Sequence, residues 1–176
     1  NHNYYHLAKF NTSTGAIINF ITSGEYDVTD LIKPTFEETS VLYYMSTEIS
    51  PLERQLYKID LAGTNKMQLT RNEGYYSVSF TPSTEFYLEV YQGPNVPQYT
   101  LRSVDGTLNM VLENNTALEA TLRNVSLPTK EFTRIPGSDG DLLYAYILYP
   151  PDFDASQEYP VLMYVYGGPG SQTVSK

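Results

Sequence analysis

The 176-residue sequence predicts a mainly β protein that changes, near residue 127, into the start of an α/β domain. Three observations lead to this prediction. The 17 tyrosines, against 7 phenylalanines and no tryptophan, suit pleated strands that are apolar on one side and polar at the tip. Short strands recur at intervals of about 40–50 residues in the first two thirds. Near the end, the run VLMYVY is apolar without polar alternation.

The recurring unit is a strand, a glycine-containing turn and a second strand. Three first strands resemble one another: HLAKF from residue 6, QLYKI from residue 55 and QYTLR from residue 98. The second strands that follow end near Ile21, Leu69 and Val111. Each pair is the pattern of a β-hairpin.

A further pair of stretches agrees with this register, because FEETSVLYYM begins at Phe36 and FTPSTEFYLEV begins at Phe80. Four short strands in about 44 residues is typical of a propeller blade, whose faces are buried by stacking on neighbouring blades. The sequence therefore predicts about two blades with flanking strands. A β-sandwich with similar turn spacing is the alternative.

A helix over residues 118–125 is predicted next, with residues 114–116 able to cap it and Pro128 ending it. We interpret this helix as a connector between two domains, residues 1–126 and 127–176. The second domain begins with EFTRI, the turn PGSDGD and LLYAYILYP, which predict a long hairpin. The loop PDFDASQE then leads to a third strand, PVLMYVY, of the kind that is covered on both faces in α/β proteins.

The glycine-rich segment YGGPGSQ, which starts at Tyr166, follows this strand directly. It lacks the glycine spacing of a dinucleotide-binding loop and the lysine of a phosphate-binding loop. Ser171 is not in a G-x-S-x-G elbow, so it is not a credible nucleophile. Two interpretations remain open: the oxyanion-hole loop of an α/β-hydrolase, where glycines let the backbone approach a substrate carbonyl, or a plain exit from the strand.

Five collinear stretches resemble the dipeptidyl peptidase IV family, serine peptidases of the prolyl oligopeptidase clan. They are GYYSVSFTP, GPNVPQYTLRS, LENNTALEATLRNVSLPTKEF, YAYILYPPDFDASQEYPV and YPVLMYVYGGPGSQTV. The resemblance covers most of the chain and weakens toward Asn1. It implies a large enzyme with an eight-bladed propeller placed over an α/β-hydrolase domain. Such an enzyme releases N-terminal dipeptides, commonly after proline or alanine, through an acyl-enzyme formed on serine.

On this resemblance, the chain carries the last propeller blades, residues 1–126, and the first hydrolase strands, residues 127–176. Tyr166 matches the tyrosine of the family's Tyr-Gly-Gly-Pro loop, which donates its hydroxyl to the oxyanion. A phenol is a suitable donor because it is neutral near pH 7. The alternative for Tyr166 is a packing role. The catalytic serine, aspartate and histidine would lie beyond Lys176, and the glutamates that hold the substrate amine would precede Asn1, so we expect the chain alone to be inactive.

Two alternative functions stay open at this point. Some family members have lost the serine and act by binding partners, which would make this chain part of a pseudo-peptidase or interaction module. The second alternative is an esterase built on the same fold. An intact G-x-S-x-G followed by aspartate and histidine beyond Lys176 would favour the peptidase.

Composition and charge limit the kinds of partner that this chain is expected to bind. The net charge of -9 disfavours nucleic acid, and no apolar run approaches the roughly 20 residues that span a bilayer. Zero cysteines exclude disulfides and thiolate metal sites, and we expect no metal and no cofactor. The expected partners are peptide substrates with a free N-terminus, and the parent enzyme could be a homodimer. The first residues lack a signal-peptide pattern, but the lack of cysteine resembles bacterial members, for which a periplasmic or cell-surface location is expected.

The remaining chemistry-bearing residues have ordinary explanations. We interpret His2 and His6 as strand residues, and the acidic pairs Glu37–Glu38 and Asp139/Asp141 as solvated turns. N-glycosylation sequons occur at Asn11, Asn114 and Asn124, in a chain rich enough in Asn, Ser and Thr to contain one or two by chance.

Overall fold

A computed structural model describes residues 3–32, 40–93, 96–168 and 171–176. Several positions singled out from the sequence lie outside these residues: His2, Phe36, Glu37, Glu38, Pro169 and Gly170. The chain divides into two compact units, Asn1–Asn115 together with Lys176, and Thr116–Ser175. Each unit is described separately below.

The first unit consists of a hairpin followed by two four-stranded antiparallel sheets. The hairpin pairs β1 (Ala8–Phe10) with β2 (Ile17–Phe20). The first meander contains β3 (Val28–Ile32), β4 (Val41–Ser46), β5 (Gln55–Asp60) and β6 (Met67–Gln68), paired in chain order. The second meander contains β7 (Tyr75–Phe80), β8 (Phe86–Gln92), β9 (Gln98–Ser103) and β10 (Asn109–Glu113), also in chain order. The three hairpins predicted from the repeat are confirmed as β1–β2, β5–β6 and β9–β10.

Strand β4 shows how the first meander is buried on both faces. Successive side chains of a strand point to opposite sides, so an uninterrupted run such as LYYM supplies apolar groups to two neighbours at once. Leu42 and Tyr44 pack with Ile21, which follows the β1–β2 hairpin. Tyr43 and Met45 pack on the other side, against residues of the second meander such as Tyr87. The first meander is therefore a middle layer, as expected for a stacked blade rather than for an isolated sheet.

A buried polar network joins the two meanders where the chain passes from one to the next. Gln55 Nε2 donates to the Glu53 carboxylate over 2.9 Å and to the carbonyl of Asn72 over 3.0 Å. The Thr70 hydroxyl donates to Gln55 Oε1 over 2.7 Å. Because Gln55 and Glu53 are both buried, these bonds satisfy groups that would otherwise destabilise the fold.

The second unit contains α1 (Thr116–Leu122) and a long hairpin of β11 (Thr129–Pro136) and β12 (Leu142–Tyr149). The hairpin is the one that the sequence predicts. The helix begins and ends earlier than predicted. Beyond Leu122 the backbone continues in tighter turns, in which the N–H groups of Asn124 and Val125 each bond the carbonyl three residues back, so the predicted end lies in these turns.

The predicted third strand of the second unit is absent: residues 161–166 form neither helix nor strand. Their side chains are exposed, and Leu162 reaches 97%. A strand is stabilised by backbone hydrogen bonds to neighbouring strands, and among the described residues β11 and β12 pair only with each other. The apolar pattern of residues 161–166 therefore favours a strand, but no described strand pairs with this segment. In the same described ranges, no helix combines the length and apolar character needed to cross a bilayer.

Candidate functional site

The side chain of Tyr166, the residue singled out from the sequence, lies against the glycines that follow it. A Cβ added to Gly168 would stand 3.0 Å from Tyr166 Oη and 3.1 Å from its ring carbons. Any larger residue at position 168 would push the ring away. Glycine at position 168 therefore lets the phenol lie close over the backbone, a geometric detail that the sequence pattern alone could not specify.

The Tyr166 hydroxyl is available to an outside acceptor. The side chain is 55% exposed, and its hydroxyl forms no hydrogen bond within the described part of the chain. Just beyond, the Ser171 N–H donates to the Gly168 carbonyl over 3.2 Å. The arrangement places an exposed phenolic O–H donor beside Gly167, around whose Cα nothing lies within 4 Å of an added Cβ.

In a strand, Tyr164 and Tyr166 would share one face because alternate residues point to the same side, but no strand forms there. Tyr164 is exposed as well. The described residues also contain no cluster of three or more His, Asp or Glu side chains that could hold a metal ion.

A cavity of about 210 Å³, which no sequence pattern predicts, lies between the two meanders of the first unit. The side chains of Arg71, Glu89 and Arg102 line it. Arg102 Nε donates to Glu89 Oε2 over 2.9 Å. The Tyr76 hydroxyl, which accepts the Asn72 N–H over 3.2 Å, also lines the cavity, and burial raises the pKa of Tyr76 to about 12. The signal that could have revealed the site is Glu89 itself, since a carboxylate inside the aromatic strand FYLEVYQ requires a buried partner.

The other residues that the sequence singled out, His6, Asp139 and Asp141, have ordinary structural roles. The His6 ring lies within hydrogen-bonding distance of Thr22 Oγ1 (3.2 Å) and the Gly24 carbonyl (3.0 Å), and it packs edge-on against Tyr26. Asp139 and Asp141 are exposed in the β11–β12 turn, as predicted.

The three sequon asparagines are all exposed. Asn11 Oδ1 accepts the N–H groups of Ser13 and Thr14, and Asn124 Nδ2 donates to the Ala120 carbonyl. Whether any of them is glycosylated stays an open prediction.

Comparison with known proteins shows that this chain is similar to other proteins over nearly its whole length. Residues 1–98 match the family described as the dipeptidyl peptidase IV N-terminal region. The chain is 36% identical to a probable dipeptidyl-aminopeptidase B of Emericella nidulans, over 98% of this chain and 20% of that protein. It is 35% identical to a probable dipeptidyl-aminopeptidase B of Botryotinia fuckeliana, over 99% of this chain and 19% of that protein. The chain thus spans about a fifth of the length of these curated relatives.

The fold also has a solved counterpart. The crystal structure of Porphyromonas gingivalis dipeptidyl peptidase 4 superimposes with a TM-score of 0.85 at 34% sequence identity. The superposition covers 98% of this chain and 24% of that one.

Proposed function

Because this chain belongs to the dipeptidyl peptidase IV family, we propose that it is part of a serine exopeptidase that releases N-terminal dipeptides, commonly after proline or alanine. The observation that carries the proposal is the similarity to proteins named dipeptidyl aminopeptidases, which runs through both units rather than through one motif. The substrates are peptides with a free N-terminus, and the reaction passes through an acyl-enzyme on a serine of the full-length protein that contains this chain.

Within that protein, residues 1–126 form the last blades of a β-propeller. Two four-stranded meanders paired in chain order support this assignment, since each has the strand order of a blade. So does the stacking of the first meander between two neighbours. A β-sandwich would instead connect strands between two facing sheets, whereas here each sheet is completed before the next begins.

Residues 127–176 begin the α/β-hydrolase domain. The β11–β12 hairpin supplies its first two strands, and residues 161–166 become a central strand when other parts of the protein pair with them. The reason is energetic. Burial of an aliphatic or aromatic side chain contributes about 1.5–3 kcal/mol, and each of the six side chains in VLMYVY is exposed in the chain by itself.

Tyr166 donates its hydroxyl to the oxyanion in this proposal. When the serine attacks the substrate carbonyl, the carbonyl oxygen gains negative charge, and a donor already positioned there stabilises the transition state more than the substrate. The exposed hydroxyl over the Gly168 backbone supports this role because nothing in the described chain competes for its proton.

The test is Tyr166→Phe in the full-length protein, which removes the donor and keeps the ring. We expect kcat/KM on a Gly-Pro chromogenic amide to fall by about 10²–10³, which corresponds to about 2.7–4 kcal/mol of transition-state stabilisation. The melting temperature should change little. Tyr164→Phe is the matched control, since it makes the same chemical change two residues earlier, and it should keep most of the activity. Small and equal losses in both variants would return Tyr166 to a packing role.

A further inference from the structure

The dipeptide Asp–Gly occurs twice in the chain, as Asp105–Gly106 in the β9–β10 turn and as Asp139–Gly140 in the β11–β12 turn. Aspartate before glycine is prone to a spontaneous reaction, isomerisation to isoaspartate, because glycine has no side chain to shield its backbone nitrogen. Nothing lies within 4 Å of a Cβ added to Gly106 or to Gly140. Both sites are therefore unhindered, and the dipeptide alone does not rank them.

The two turns also share their backbone conformation. The Gly106 N–H donates to the Ser103 carbonyl over 3.1 Å, and the Gly140 N–H donates to the Gly137 carbonyl over 3.2 Å. Both donating glycines lie in the left-handed region, with φ of 81° and 88°. The aspartate before each of them is exposed to solvent. Because the backbones and the access of water are matched, a difference in reactivity has to come from the aspartate side chains.

The Asp105 carboxylate is held in place by its neighbours. Its Oδ1 accepts from Ser103 Oγ over 2.5 Å, from the Thr107 N–H over 2.9 Å and from Thr107 Oγ1 over 2.7 Å. These donors, the Ser103 hydroxyl first, keep the pKa of Asp105 well below its ordinary value. Isomerisation requires the opposite, since the carboxyl carbon has to approach the next backbone nitrogen and the carboxyl has to be protonated to release water.

The Asp139 carboxylate lacks this set of donors. Within the described part of the chain it accepts from Ser138 Oγ over 3.0 Å. The residue two places before it is Gly137, which has no side chain to donate. The residue two places after it is Asp141, whose ionised carboxylate donates no hydrogen bond and repels a second negative charge. The Asp139 side chain is therefore freer to turn toward the next backbone nitrogen.

We propose that Asp139 is a site of spontaneous isoaspartate formation and that Asp105, in a turn of the same backbone conformation, is protected from it. The Gly140 nitrogen forms a bond to Asp139 Cγ, and the amide proton leaves with the hydroxyl group of the protonated carboxyl as one water molecule. The product is a cyclic succinimide. Water then opens the ring at either carbonyl. Opening at the former main-chain carbonyl gives isoaspartate, which adds one carbon to the backbone at the tip of the β11–β12 hairpin.

Incubation of the folded full-length protein in H₂¹⁸O tests the proposal, because opening of the succinimide leaves one ¹⁸O atom in the aspartate or isoaspartate. Trypsin separates the two sites, since Asp105 falls in the peptide of residues 103–123 and Asp139 in that of residues 135–176. We expect ¹⁸O to enter the second peptide at least about tenfold faster, because a hydrogen bond to a charged group contributes enough free energy for such a factor. Isoaspartate, identified by mass-spectrometric fragmentation, should accumulate in the same peptide.

Two controls separate the folded turns from the local sequence. In concentrated urea both peptides should take up ¹⁸O at similar rates, because the turns are unfolded. In the folded protein, Asp141→Thr places a hydroxyl where Thr107 has one in the other turn, so it should slow the uptake at Asp139. Asp141→Val has the same shape without the hydroxyl and should slow it less.

Equal uptake by the two peptides of the folded protein, or faster uptake at Asp105, would overturn the proposal. A difference that persists unchanged in urea would also overturn it, since the cause would then be the neighbouring residues and not the folded turns. The proposal does not depend on the peptidase activity.

Discussion

The Glu89 carboxylate is held between the two meanders with 5% of its side chain exposed, and Arg102 is its cation. A buried charge is tolerated only when it is paired, because transfer out of water costs more free energy than most single contacts return. The Arg102 side chain is 33% exposed, so one end of the pair still reaches solvent. The role of Arg102 is therefore to keep Glu89 from being buried without a partner.

We expect Arg102→Met to lower the free energy of unfolding by about 1.5–3 kcal/mol, the usual loss for a hydrogen bond to a charged group. Arg123→Met is the matched control. Its partner Glu119 is one helical turn away and Arg123 is mostly exposed, so the change should stay within about 0.5 kcal/mol. Urea denaturation of the two variants measures the difference. Equal losses of stability in the two variants would mean that the Glu89 carboxylate does not depend on Arg102 for its stabilisation.

The β9–β10 turn is stabilised by one carboxylate. Asp105 Oδ1 accepts from Ser103 Oγ at 2.5 Å, from the Thr107 N–H at 2.9 Å and from Thr107 Oγ1 at 2.7 Å. Gly106 follows with a φ of 81°, in the left-handed region that the turn requires. The hydroxyl of Ser103, and then the Thr107 donors, lower the pKa of Asp105 to about 2.

This shift has a defined consequence for acid stability. The folded pKa lies below that of a free aspartate, so ionised Asp105 stabilises the folded state above about pH 4, and this contribution is lost as the pH falls toward about 2. We expect an NMR titration of the Asp105 carboxyl carbon to have its midpoint near 2. Thr107→Val removes one of the donors and should move the midpoint upward. A midpoint near 4 before any substitution would show that these bonds do not form in solution.

At the scale of the molecule, apolar surface is exposed wherever a sheet lacks a neighbour. The described first unit covers both faces of its first meander, whereas Met110, Val111 and Leu112 of β10 in the second meander are all exposed. Residues 161–166 add an uncharged, strand-prone segment of the kind that pairs between molecules.

We therefore expect the chain, purified by itself, to self-associate in a concentration-dependent way. Light scattering after size-exclusion chromatography measures this. Replacing both Leu162 and Val165 with lysine should reduce the association, because the charges oppose pairing along this segment. A monodisperse monomer with a cooperative melting transition would count against the propeller proposal, since a propeller normally closes 4–8 blades.

The sequence by itself determined the hairpins, the strand-rich class and the family. Turn residues and two-residue alternation act over short distances, so β1–β2, β5–β6, β9–β10 and β11–β12 could be predicted from spacing. The ends of α1 were less certain, because the weak turns after Leu122 extend the helical pattern without continuing the helix.

Only the tertiary structure decided which groups meet. The apolar pattern of residues 161–166 predicted a strand, but strand hydrogen bonds come from other strands, and none of those described pairs with it. The Glu89–Arg102 pair depends on the antiparallel register of β8 and β9 and on the sheet stacked over them. Tyr166 was identified by resemblance, but the close approach of its ring to the Gly168 backbone is visible only in the structure. Local preferences extend over a few residues, whereas burial and charge pairing depend on packing between distant segments, and no sequence pattern states that packing directly.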